Sequence, residues 1–182
     1  MSFTYSEYGG DEGASRFAEI AKDFTFNHPN LGTVSFPDSF VSAYVADVEG
    51  ADAYFAIDRI YFVAPFETGS VTCMFDGIFA PAQIESINQI LNESAYAEPN
   101  AVILPPKLYA FASSYDAAGE VYVMVKLDPE ADDNGSIHAW RRAHESLGSG
   151  DNTTPPAPLA PDLQSFLDGL MSAAEAKAKT GE

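Results

Sequence analysis

Basic residues are scarce. Nine lysines and arginines stand against 27 acids in 182 residues, a formal charge of −18. Such a field repels nucleic-acid backbones and anionic membranes and attracts basic partners. Only Arg141 and Arg142 are adjacent bases, beside Trp140 and His144, too few for a long phosphate footprint. Cysteine is scarcer still. Cys73 stands alone, which excludes an intrachain disulfide, and its apolar run Val71-Thr72-Cys73-Met74-Phe75 predicts a small, unreactive core residue. The three histidines, His28, His138 and His144, have no second cysteine to complete a zinc set, and the last two are six residues apart. No apolar stretch approaches a membrane span, and Met1 to Gly13 is polar and acidic rather than signal-like, so the expected location is the cytoplasm. The sequons at Asn92, Asn134 and Asn152 then have no role. There is no Gly-x-Ser-x-Gly elbow, and Gly148-Ser149-Gly150 lacks the lysine and helix of a phosphate-cradling loop. The expectation is a chain that is not an enzyme and has no metal, cofactor or nucleic-acid site.

What is present is a core. Hydrophobic residues make up 46% of the chain, with 13 phenylalanines and 9 tyrosines, enough for one ordinary globular domain and too many for an acidic disordered tail. Phe17, Ile20, Ala21 and Phe24 form a helical stripe after a loose lead-in over residues 1–13. Ser35-Phe36-Pro37-Asp38 reads as a helix start, followed by Phe40, Val41, Tyr44, Val45 and Val48 at helical spacing. Residues 53–65 read as two short strands bent at Asp58-Arg59 or as one bulged strand, and Val71 to Phe79 as a strand broken near Asp76-Gly77. Pro81 to Leu91 carries Ile84, Ile87, Ile90 and Leu91 on a helix with proline in its first turn. Lys107 to Ser113 reads as a short helix or turn. Val121 to Leu127 is apolar on both faces and should be a central strand. An acidic turn with Asn134-Gly135 leads to a return strand, Ile137 to Trp140. Residues 146–152 read as a mobile Gly/Ser segment, and Pro155, Pro156, Pro158 and Pro161 as a stiff extended bridge. Leu163, Phe166, Leu167 and Leu170 form a closing helix, and residues 171–182 a weakly helical or frayed tail. Strand and helix runs interleave without a βαβ repeat. The fold class expected is α+β: a single domain over residues 14–170, with a twisted, mainly antiparallel or mixed sheet and helices mostly on one face.

The best candidate metal loop is Glu130-Ala131-Asp132-Asp133-Asn134-Gly135, with oxygen ligands at alternate positions and glycine at the sixth. The twelfth position must carry a bidentate glutamate and is Arg141, so the calcium reading fails and an acidic hairpin tip remains. Carboxylate pairs suited to glycoside hydrolysis cannot be placed from spacing alone. Two clusters combine acids with aromatic or turn residues: Asp47, Glu49, Asp52, Tyr54 and Asp58, and Asp128, Glu130, Asp132 and Asp133. Jointly they are candidate contacts for a basic protein partner.

The order of these segments resembles the SUKH superfamily, the fold shared by a fungal cell-wall regulator and many bacterial toxin-immunity proteins. Phe36-Pro37-Asp38-Ser39-Phe40 fills the slot of the family's first apolar-Pro motif. Leu104-Pro105-Pro106 with Tyr109-Ala110-Phe111-Ala112, the strand from Val121 with its acidic hairpin, the Trp140 strand and Pro161 to Leu170 fill the later ones. The match spans Phe36 to Leu170. It departs at Glu49-Gly50, where the family has an Asn-Gly or Gly-Gly turn, and residues 68–100 carry no matching motif. The resemblance implies a non-enzymatic immunity protein that occludes the substrate groove of a cognate toxin C-terminal domain, such as a basic nuclease or nucleic-acid-modifying enzyme. The alternatives are an acidic nucleic-acid mimic and a regulatory protein-interaction module without a toxin.

Overall fold

A computed structural model describes residues 25–28, 32–49, 59–79, 81–92, 104–116, 119–141 and 155–181. The stripe predicted over Phe17 to Phe24, the lead-in and the Gly/Ser segment lie outside them. In chain order the elements are β1 (Thr25–His28), β2 (Gly32–Ser35), α1 (Asp38–Glu49), β3 (Arg59–Phe66), β4 (Gly69–Ile78), α2 (Pro81–Asn92), β5 (Leu108–Asp116), β6 (Gly119–Lys126), β7 (Ile137–Arg141), β8 (Ala157–Ala160), α3 (Leu163–Asp168), β9 (Met171–Ser172) and α4 (Ala173–Thr180). β1 and β2 form a separate hairpin, and the other strands form one seven-stranded sheet in the order β8-β7-β6-β5-β4-β3-β9. Every pairing is antiparallel, which makes the fold α+β. No helix of the described residues is long and apolar enough to cross a membrane.

The sheet curls on itself. β3 and β8 touch although β4 to β7 lie between them in the pairing order. Across that seam the Arg141 guanidinium stands 5.1 Å from the centre of the Phe66 ring. Bulges at Asp76 and Phe111 help the curl, since an extra residue on one strand bends it and increases its twist. The break expected near Asp76-Gly77 is therefore a bulge inside one continuous strand. Pro65 and Pro158, which carry no amide hydrogen, sit on the strands that flank the seam, and β8 and β9 are short, so the edges offer little to a strand from another chain.

The concave face holds the main core. Phe36, Phe40 and Tyr44 stack along α1, with 4.8 and 6.2 Å between successive rings, because residues four apart share one helix face. Phe40 meets Phe111 edge-on at 5.1 Å. From α3, Phe166 meets Phe62 and Phe75 edge-on at 5.5 and 5.3 Å, an arrangement favoured by the ring quadrupoles. Cys73 is fully buried in this core, as its apolar run predicted. Val121, Val123 and Val125 of β6 face the same core, while Tyr122 and Met124 point to the other side, so β6 is buried on both faces.

α2 stands where β4 stops. Beyond Ile78, the backbone of β5 needs a new partner, and the Asn88 side chain supplies it. Its Oδ1 accepts from the Ala110 amide at 2.9 Å and its Nδ2 donates to the Ala110 carbonyl at 2.8 Å. Asn88 thus completes the ladder with an amide side chain, and α2 sends Ile84 to the concave core and Leu91 to a smaller one with Leu104, Leu108, Met124 and Trp140 on the convex face.

Three segments differ from the sequence reading. Lys107 to Ser113 is a strand from Leu108 onward; Lys107 alone has turn geometry, with φ of 63°. The proline bridge is extended as expected, yet Ala157–Ala160 also pairs with β7. The tail does not prolong the closing helix. α3 ends at Gly169, Met171 and Ser172 pair with β3, and α4 begins afresh with a capping box between Ser172 and Glu175 and ends at Gly181 in the left-handed region. Arg59 ties this end down, donating from Nε to the Leu170 carbonyl and pairing with Glu175 at 3.1 Å. α4 lies on the convex side of β3 and β4, where Thr180 bonds Thr72, and is the exception to the gathering of helices at the concave face.

Candidate functional site

The loop joining β6 to β7 is where the predicted acids meet an ordered scaffold. Asn134-Gly135 does not form the two-residue hairpin turn its sequence suggests. Gly135 has positive φ (93°) but Asn134 does not, and the connection is a longer, internally bonded loop. The Gly135 amide donates to the Lys126 carbonyl at 2.8 Å, and the Lys126 amide to the Ser136 carbonyl at 2.9 Å. Asn134 folds its side chain back to accept from the Asp128 amide at 2.9 Å. Gly135 lies against α1: a side chain there would come within 3.4 Å of the Pro37 ring. The loop is therefore closed at its base and braced from one side.

Its four acids divide into two kinds. Asp128 is buried, and its carboxylate accepts from Lys107 Nζ at 2.5 Å. That bond holds its pKa below the ordinary carboxylate value, against the effect of burial, with help from the Glu130 amide and the charge of Lys126. Asp133 is half exposed and pairs with Lys126 at 2.6 Å, which likewise lowers its pKa. Glu130 and Asp132 are exposed at the tip and, among the described residues, form no ion pair. The lysines thus neutralise the carboxylates at the base of the loop and leave the two at its crown.

Of the first predicted cluster, Asp47 and Glu49 fall within the described residues. They lie in the last turns of α1, whereas Gly135 at the base of the β6–β7 loop lies against the other end of that helix, at Pro37 and Ser39. Asp52, Tyr54 and Asp58 lie outside the described residues.

Ser136 and His138 complete the base of the loop, with the hydroxyl oxygen 2.9 Å from Nε2 of the ring. A hydroxyl beside an imidazole is two parts of a nucleophilic apparatus, but among the described residues no carboxylate is bonded to the ring, and Asp133 is bonded to Lys126. Among the described residues no three His, Cys, Asp or Glu side chains are grouped to hold a metal ion. Trp140, next along β7, is fully buried in the convex core with Tyr122 at 6.2 Å, a packing role. No family model matches the chain, and neither a curated protein nor a solved structure matches it.

Proposed function

We propose that this chain is an immunity protein that binds a cognate bacterial toxin domain of basic character and blocks its nucleic-acid groove by occupying it. The observation that carries the reading is the crown of the β6–β7 loop: Glu130 and Asp132 are exposed and form no ion pair among the described residues, on a loop whose base is fixed by hydrogen bonds and two lysine-carboxylate pairs. Carboxylates carried on a loop with a fixed base reduce the backbone ordering needed on binding and present their charge to a cationic groove. The net charge of −18 adds long-range steering toward the same kind of partner. The resemblance in motif order to SUKH immunity proteins supports the same reading.

The test is direct. A neighbouring gene for a large secreted protein would supply the C-terminal domain to use. Equimolar addition of this chain should abolish that domain's activity, and the association rate should fall steeply between low and high salt. The double reversal Glu130→Lys with Asp132→Lys should slow association on the order of tenfold. Glu67→Lys, a reversal in the exposed β3–β4 turn, should slow it far less. An association rate indifferent to salt and to the tip reversal would remove the electrostatic site. Equal inhibition of many unrelated nucleic-acid enzymes would replace a cognate inhibitor with a general mimic.

A further inference from the structure

We propose that Asn134-Gly135 is a site of self-modification, where the β6–β7 loop converts its own asparagine to aspartate or isoaspartate at a rate set by the hydrogen bonds at its base. The Gly135 nitrogen attacks Cγ of Asn134 and gives up its proton. The side-chain nitrogen of Asn134 leaves as ammonia, and a cyclic imide forms. Water then opens the imide at either carbonyl. One product is aspartate on the original backbone. The other is isoaspartate, in which the chain runs through the side chain and gains a methylene. Asparagine is a thermolabile residue. Glycine after it favours this route, because no Cβ crowds the attacking nitrogen and the backbone turns freely.

The loop holds the two reacting groups in opposite states. Asn134 is partly exposed, and its Oδ1 accepts from the Asp128 amide at 2.9 Å, which draws electron density from Cγ and favours attack there. Its Nδ2, the leaving nitrogen, forms no hydrogen bond among the described residues. The Gly135 amide is the part withheld. It is buried, and it donates to the Lys126 carbonyl at 2.8 Å. To react it must lose its proton and turn onto the preceding side chain, and that bond prevents both. The bonds around it hold the same geometry. The Lys126 amide donates to the Ser136 carbonyl at 2.9 Å, and the Asn134 and Ser136 amides donate to the Ala131 and Asp133 carbonyls at 3.2 and 3.0 Å. The reaction therefore runs through the open form of the loop. Its products differ in effect. Aspartate keeps an acceptor oxygen for the Asp128 amide and adds a negative charge. Isoaspartate lengthens the backbone inside the arc that the Lys126–Gly135 and Lys126–Ser136 bonds close, so those bonds lose their register.

The experiment needs only the free protein, so it stands or falls apart from any partner. The chain is incubated at mildly alkaline pH, folded and in denaturant, and residue 134 is followed by peptide mapping with isoaspartate labelling. The folded chain should convert at least about fivefold more slowly than the unfolded one, the factor that one hydrogen bond of ordinary net strength supplies. Hydrogen exchange of the Gly135 amide reports the same opening, so its protection should match the slowing of the reaction. Lys126→Ala removes the pair with Asp133 at 2.6 Å and leaves the backbone bonds of the base in place. It should raise Gly135 exchange and Asn134 conversion by the same factor. Isoaspartate chain, separated by ion exchange, should lose protection at the Gly135 and Lys126 amides, whereas Asn134→Asp should keep it. Conversion as fast in the folded chain as in denaturant, a folded rate that does not track Gly135 exchange, or isoaspartate chain whose loop amides stay protected would each overturn the proposal.

Discussion

The concave core and the β6–β7 loop hold their shapes by different means. In the core, α1 and α3 press aromatic rings into the curl of the sheet, so each ring is fixed by contacts on all sides. The loop has the Pro37 ring against Gly135 on one side and is otherwise held mainly by polar contacts. Its shape comes from amide-carbonyl bonds, one asparagine side chain, one serine-histidine contact and two lysine-carboxylate pairs. Dense apolar contact gives stability that is indifferent to salt and pH, whereas polar closure gives a surface that stays charged and responds to both. The chain thus separates what it needs to fold from what it can offer to a partner, and substitutions on the two sides should differ in kind as well as in size.

The largest effect is expected in the core. Phe166→Ala removes the ring that bridges Phe62 and Phe75 and should cost about 3–5 kcal/mol in equilibrium unfolding, with a loosened α3. A loss under about 1 kcal/mol would mean that the curl closes without α3, and the contrast with the loop would weaken. Asn88→Ala comes next. It is a polar closure inside the buried scaffold, so it tests whether burial or polarity sets the cost. The Ala110 amide and carbonyl would both lose their partner, at about 2–3 kcal/mol, and hydrogen exchange should localise the damage to the end of β5.

The difference between the two regions also decides what the sequence could reveal. The ring ladder of α1 was legible because Phe36, Phe40 and Tyr44 follow helical spacing, and β6 because its β-branched and aromatic residues fill both faces. The start of β5 was not. Ala110-Phe111-Ala112-Ser113 holds no β-branched residue, and its strand state is imposed by β4, β6 and the Asn88 side chain, all distant in sequence. The strand β8 was hidden by prolines that suggest an unpaired bridge, and β9 by being two residues long. At the loop, the acids were visible but their division was not. Lys107 pairs with Asp128 across 21 positions, and only the fold sets Pro37 against Gly135. Lys126 is the exception: a lysine ending the strand before an acidic loop was a local signal that one acid of the loop would be neutralised.

Within the loop the smaller effects should fall in a definite order. Asp128 and Asp133 both have pKa values lowered in the folded state, so the stability they contribute is present above the ordinary carboxylate range, near pH 4, and is lost as pH falls through their lower folded values. Asp128→Asn should flatten the acid limb of an unfolding curve more than Asp133→Asn, because the Asp128 side chain is 12% exposed against 54% for Asp133 and water screens the latter pair. Added salt should erode the Asp133 contribution first. The smallest effect is expected for Glu130→Gln with Asp132→Asn. These carboxylates hold no ion pair among the described residues, so their loss should leave the denaturation midpoint where it is while removing two charges from the crown. A double variant that unfolded early would show that these two acids help to close the loop. The crown would then be structural, and the separation between a core that folds the chain and a tip that is free to bind would fail at the point where the binding reading depends on it.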